Sequence, residues 1–158
     1  MKAREGVVDL LNTALTTELT AVNQYFLAAK MCANWGFARL HDRFRALSFE
    51  EMKDTEELIE HILYLEGLPN MQRLNQVRVG EAVPELLQAG LDLERGAVEF
   101  LRGAIEHCDP VGDYTTRGKF EEMIQDEETH VDWFETQLET VRLVGLENYL
   151  SQQILKQD

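Results

Sequence analysis

The sequence predicts an all-α protein: four long helices in a bundle, one long crossover and a short fifth helix. Three observations carry this. Apolar residues recur at i, i+3, i+4 and i+7 through four stretches, each far longer than a strand. One segment alone, about residues 67–83, loses the period for long. The composition, 44% hydrophobic with only three prolines, suits a packed helical core.

The first helix spans about residues 5–34. Leu11, Leu15, Leu19, Val22, Phe26 and Ala29 form its expected stripe, and Trp35-Gly36 breaks it. Glu18 stands within that stripe, with Tyr25 two turns on. The second helix, about residues 38–66, turns Phe44, Leu47, Leu58, Ile62 and Leu65 inward, and Gly67 and Pro69 end it. The connection between these two is short, so they are expected to be antiparallel neighbours. The irregular stretch that follows, roughly 17 residues, is long for a compact domain. A crossover joining two parallel helices along the bundle accounts for it. Pro84 suits the first turn of the third helix. Its stripe of Leu87, Leu91, Val98, Leu101 and Ile105 ends near Asp109-Pro110, with Glu94 in the middle. The fourth helix, about 113–144, carries Phe120, Met123, Ile124, Val131, Phe134, Leu138 and Val141. Gly145 stops it, and residues 146–155 close the chain as a fifth helix.

At 158 residues the chain is expected to be a single domain over 1–158, long enough to bury a real core. Its 29 acids against 15 bases give a net charge of -14. Such a surface repels nucleic acid and anionic membranes and attracts cations. No apolar signal region follows Met1-Lys2-Ala3-Arg4-Glu5, and no segment reaches the ~20 apolar residues of a membrane span. Cys32 and Cys108 stand alone in helical patterns and read as free buried thiols in a reducing compartment. The expected location is the cytoplasm.

Each long helix places an acid where a Leu is expected. Glu127 and His130, three positions apart in Glu127-Glu128-Thr129-His130, share one face of the fourth helix. The second helix offers Glu51 and, three positions on, Asp54; the first offers Glu18 and the third Glu94. Two lone Glu residues and two Glu-x-x pairs match the di-iron carboxylate arrangement of a four-helix bundle. Two divalent cations neutralise carboxylates that could not otherwise be buried together. The expected metal ligands are therefore Glu18, Glu51, Asp54, Glu94, Glu127 and His130.

The chain also resembles the bacterioferritin family along its whole length. The matching stretches include Asn23-Gln24-Tyr25-Phe26, Asn34-Trp35-Gly36, Glu51-Met52-Lys53, Leu65-Glu66-Gly67-Leu68-Pro69-Asn70, Asp126-Glu127-Glu128-Thr129-His130-Val131-Asp132-Trp133 and Gly145-Leu146-Glu147-Asn148-Tyr149-Leu150. The resemblance implies a ferritin-like fold and a hollow shell of about 24 subunits storing ferric mineral, symmetric as closed oligomers are. It implies haem b at the two-fold interface with one axial methionine from each subunit, matched here by Met52. A ferredoxin-like reductase partner driving iron release is implied as well. Met52 is one residue offset from the inward Glu51, so it looks sideways out of the bundle. A thioether there is a suitable haem ligand, and Leu19, Asn23, Phe26 and Phe49 are placed to line its pocket.

One departure stands out. Family members with a complete ferroxidase site read Glu-x-x-His in the second helix, where this chain reads Glu51-Met52-Lys53-Asp54. Five carboxylates would then surround two divalent ions, one more than charge balance needs. Acids sharing a site raise one another's pKa, and an all-oxygen half-site favours harder ions. Ala46 stands where a His is common, Leu58 where a Tyr is common, and Gly90 leaves the surroundings of Glu94 without a polar side chain. The chain thus resembles the haem-type subunit of mixed shells, with its own iron oxidation impaired. The alternative is an active ferroxidase using Asp54 as a ligand, with Tyr25 and Trp133 as nearby electron donors; a purely structural bundle is a third reading. His41, His61 and His107 are assigned no role.

Overall fold

The computed structural model describes residues 1–155, so the last three residues of the expected 1–158 domain lie outside the described residues. The element order is α1 (Val7–Asn34), α2 (Ala38–Tyr64), α3 (Val83–Val111), α4 (Tyr114–Val144) and α5 (Leu146–Gln153). No strand occurs among the described residues. The four-helix bundle with a crossover between α2 and α3 and a short fifth helix is therefore the observed architecture.

Short turns fold α1 against α2 and α3 against α4, as two antiparallel pairs. The crossover is tied to α1 by side chains that accept its backbone N–H groups. Asn70 N–H donates to Asn12 Oδ1 (2.8 Å), Asn75 N–H to Thr20 Oγ1 (2.9 Å) and Arg78 N–H to Gln24 Oε1 (3.0 Å). The partners advance together, so the crossover runs parallel to α1 along the bundle's length. It carries the chain from the end of α2 to the opposite end of the bundle, which makes α3 parallel to α2. This ladder satisfies backbone donors that a loop without regular structure would leave unpaired.

The helix ends follow local chemistry. Asp113 caps α4, its carboxylate accepting from the Thr116 N–H at 2.9 Å. The third helix ends at Val111, one residue past the expected Asp109-Pro110, with Pro110 inside its last turn. Gly112 stops it instead, with φ of 74° and its N–H returning to Asp109 O, while Asp113 N–H bonds Cys108 O.

The interior is two apolar clusters stacked along the bundle. One gathers Tyr25, Phe44, Leu47, Leu87, Leu91 and Phe134; the other gathers Leu11, Leu15, Leu58, Ile62, Leu101 and Phe120. The buried acids come from the same helices, at positions between these two sets. Phe26 departs from the expected stripe. It is 45% exposed, together with Phe49 at 53% and Met52 at 42%. Leu58 is buried in the second cluster, Ala46 is exposed, and Cys32 and Cys108 are free and buried as expected. Gly90 is required by packing: an added Cβ would sit 2.3 Å from Phe134 Cζ, so the ring occupies the space beside Glu94.

His61, assigned no role from the sequence, is buried. Its Nε2 lies 2.8 Å from Thr116 Oγ1, which donates to Asp113 Oδ2 at 2.6 Å. Since the hydroxyl hydrogen goes to the carboxylate, His61 Nε2 carries the proton and donates. This network joins the end of α2 to the start of α4.

Candidate metal centre

All six expected ligands come together in the bundle. They form two overlapping groups: Glu51, Glu94, Glu127 and His130, and Glu18, Glu51, Asp54 and Glu127. Within each group one ligand atom per residue lies within 4.8 Å of the others. Oxygen ligands bonded at ~2.1 Å to one ion span at most ~4.2 Å, so each group is slightly wider than a single coordination shell and would draw in a few tenths of an ångström around an ion. Glu51 and Glu127 belong to both groups. Two ions held in these groups would share Glu51 and Glu127.

Helical period puts each group in place. Glu51 and Asp54 are three apart on α2, and Glu127 and His130 three apart on α4, so each pair faces inward over one turn. Glu18 from α1 and Glu94 from α3 close the ring. Buried polar atoms without partners mark the site as built for something positive. They are Glu18 Oε2, both Glu51 oxygens, Glu94 Oε2, Glu127 Oε1 and His130 Nδ1. His130 Nδ1 is 3.0 Å from Glu51 Oε1 and 3.3 Å from Glu94 Oε1, yet in hydrogen-bond geometry with neither. Orphaned acceptors at this density are rare inside proteins unless an ion satisfies them.

The electrostatics point the same way. Burial holds the Glu18, Glu51 and Glu94 carboxyls above their ordinary range, and the facing acids add to it. Burial and then the Glu51 and Glu127 charges push Asp54 up to about 8. Burial and then Glu94 push Glu127 up to about 8. Burial opposes the charged form of His130, but the carboxylates of Glu127, Glu51 and Glu94 outweigh it and raise its pKa. Burial and then the Glu94 charge raise the Tyr25 phenol, whose hydroxyl donates to Glu94 Oε1 at 2.5 Å.

A stability prediction follows with a definite sign. These groups have folded pKa values above their unfolded ones, so the fold holds more protons than the unfolded chain. Their contribution is fully present below about pH 4 and is lost as pH rises through about 8. The metal-free protein should therefore show a melting temperature that falls from pH 5 to pH 8. Saturating Co²⁺ or Zn²⁺ should flatten that fall and release protons on binding. A melting temperature that rises over this window would rule out buried protonated acids.

A cavity of about 510 Å³ between α2 and α4 ends on Asp54 and His130. Its wall is acidic through Glu50, Glu57, Glu122 and Asp126, with Arg43 and Lys53 also on it. Trp133, expected nearby, packs edge-on against Phe134 and Phe44 and lies under the Arg43 guanidinium. The sequence reasoning missed Glu50. This carboxylate accepts from His130 Nε2–H at 2.8 Å. The only signal for it was an acid preceding Glu51 opposite a Glu-x-x-His on another helix.

A bundle with buried acids on each of its four long helices defines a class. The ferritin-like domain family matches residues 8–144. Among curated proteins, the chain is 45% identical to the bacterioferritin of Mycobacterium avium over 152 residues, covering 96% of each. It is likewise 45% identical to the bacterioferritin of Streptomyces coelicolor, covering 96% of this chain and 90% of that one. The bacterioferritin of Brucella melitensis is 41% identical over 149 residues, 94% and 92% of the two chains. The chain belongs to the bacterioferritin family of iron-storage proteins. Among the described residues, no helix is long and apolar enough to cross a membrane.

Proposed function

We propose that this chain is a cytoplasmic iron-storage subunit that binds ferrous ions at the six-residue centre, oxidises them slowly and passes ferric iron to a mineral core. The observation that carries this reading is the pair of ligand groups sharing Glu51 and Glu127. Glu18, Glu51, Asp54, Glu94, Glu127 and His130 are the ligands, with iron as the substrate. Asp54 is the weak member. Five carboxylates exceed the charge of two divalent ions, and Asp54 holds its proton up to about pH 8 in the metal-free state. The Glu18–Asp54 half offers only oxygens and takes the surplus charge, so it binds less firmly than the His130 half.

The same reading has about 24 subunits closing into a hollow shell, as copies of this chain or mixed with a second bacterioferritin subunit type, with the symmetry usual for closed assemblies. Haem b fits the face formed by Met52, Phe26 and Phe49. Large exposed apolar side chains suit an interface; Phe26, Phe49 and Met52 are each exposed, and the Met52 thioether is a soft donor. Haem held there by two Met52 residues from paired subunits supplies a one-electron carrier across the shell. A ferredoxin-like partner would deliver electrons for release.

A second reading, a fully active ferroxidase with Asp54 as a working ligand, is favoured by Asp54 lying within a ligand group. The test is oxygen-dependent oxidation of two ferrous ions per subunit by the purified shell, with Asp54→His alongside. In the proposed reading the histidine variant gains on the order of tenfold, the change ~1.4 kcal/mol of barrier gives. A native protein that already shows a rapid phase saturating at two irons establishes the second reading.

A further inference from the structure

We propose that Arg43 is a positioning residue for the metal centre, acting through Glu50 to hold His130 in its ligating pose. This deepens the metal-binding reading above and rests on it. His130 can ligate through one ring nitrogen only if the other is fixed. Its Nε2 lies 2.8 Å from Glu50 Oε2, and a carboxylate only accepts, so Nε2 carries the hydrogen. With Nε2 turned to Glu50, Nδ1 is the nitrogen that faces Glu51, Glu94 and Glu127, where it is otherwise without a partner and placed to ligate once an ion displaces its proton. Carboxylates that orient a ligating imidazole in this way raise its basicity and fix its ring.

Glu50 itself is half exposed and needs an anchor, because a free glutamate on a cavity wall samples many rotamers. Arg43 provides it from one side. Its Nη1 lies 3.9 Å from Glu50 Oε1, the oxygen not used by His130. Arg43 is in turn held over Trp133, its guanidinium carbon 5.2 Å from the ring centroid. A planar guanidinium on an indole face loses little freedom when it also meets a carboxylate. The chain of contacts therefore runs from Trp133 through Arg43 and Glu50 to His130, and ends on the metal ligands. Trp133 and His130 lie three residues apart on α4, while Arg43 and Glu50 lie seven apart on α2, so the chain spans the seam between the two helices. The other half of the centre has no such support, since Asp54 faces the acids Asp126 and Glu57.

The test is Co²⁺ titration of the metal-free shell, followed by the visible ligand-field bands that report nitrogen ligation. The native protein should take two ions per subunit, the tighter one at the His130 half. Glu50→Ala should weaken that step by about 10–100-fold, the usual loss when a ligating histidine's outer partner is removed. Glu50→Gln keeps an acceptor for Nε2–H and should restore most of it. Arg43→Leu should weaken the same step, and should add nothing further in the Glu50→Ala background, as expected of residues acting in series. Arg43→Lys repeats the comparison if the leucine variant fails to assemble. An Arg43 variant with native Co²⁺ affinity and bands, or losses that add in the double variant, overturns the proposal. A native protein that binds no Co²⁺ at this centre overturns the metal-binding reading instead.

Discussion

Replacing Glu127 by glutamine should remove both metal positions at once while making the metal-free protein more stable above neutral pH. Glu127 is shared by the two ligand groups, so its loss opens both shells. Metal affinity at the centre should fall by more than about 100-fold, beyond the cost of an outer partner, and the slow oxidation of iron proposed for the centre should vanish with it. Stability should move the other way. In the metal-free state the Glu127 carboxyl is pushed up to about 8 by burial and by Glu94, so ionising it near pH 8 works against the fold. Glutamine has the same shape and no charge. The variant's melting temperature should therefore match the native one near pH 5, where Glu127 is already protonated, and exceed it near pH 8. Calorimetry at the two pH values, with and without Co²⁺, reads both effects. A variant that still binds two ions per subunit would show that Glu127 is not shared.

Met52→Leu should yield a shell that assembles and stores iron but carries almost no haem. Leucine preserves the volume and apolar character of an exposed side chain, so subunit stability should change by no more than ~0.5 kcal/mol, the ordinary range for a surface position. What it removes is the sulfur lone pair. In the proposed haem site the axial donors are two Met52 thioethers from paired subunits, and apolar contact alone would leave the haem iron without strong ligands. Soret absorbance per subunit should drop below about a tenth of the native value, since coordination and not burial fixes the group there. Sedimentation should be unchanged. Native haem content in this variant would place the haem elsewhere.

These two residues show how the sequence could be read. Met52 and Glu51 are adjacent, and one helical step of rotation separates a side chain aimed at the bundle's interior from one aimed past it. That rotation is local and periodic, so it was legible without coordinates. The same holds for Glu18, Asp54, Glu94, Glu127 and His130, each recognised as an acid or imidazole in a leucine position. The crossover was legible too, because about 17 residues without a period must go somewhere in a compact fold.

Other features depended on what another helix brings. Phe26 obeyed the stripe's spacing on α1, yet no neighbouring helix covers it, so it stays 45% exposed. Gly90 read as a missing polar group near Glu94; the structure fills that space with the Phe134 ring from α4. His61 sat near a helix end in the sequence, and only the start of α4 buries it against Thr116. Glu50 had the surface phase of α2, and its role arises from His130, 80 positions away in the chain.

By itself, then, the sequence determined the helices, the long crossover and the six side chains that face the centre, because a 3.6-residue period translates directly into angular position. The tertiary structure alone decided which carboxylates are shared between the two groups, what holds His130 in place and which apolar residues remain uncovered. Those depend on the depth and register at which separate helices meet, and long-range packing sets both without leaving a periodic trace in any one of them.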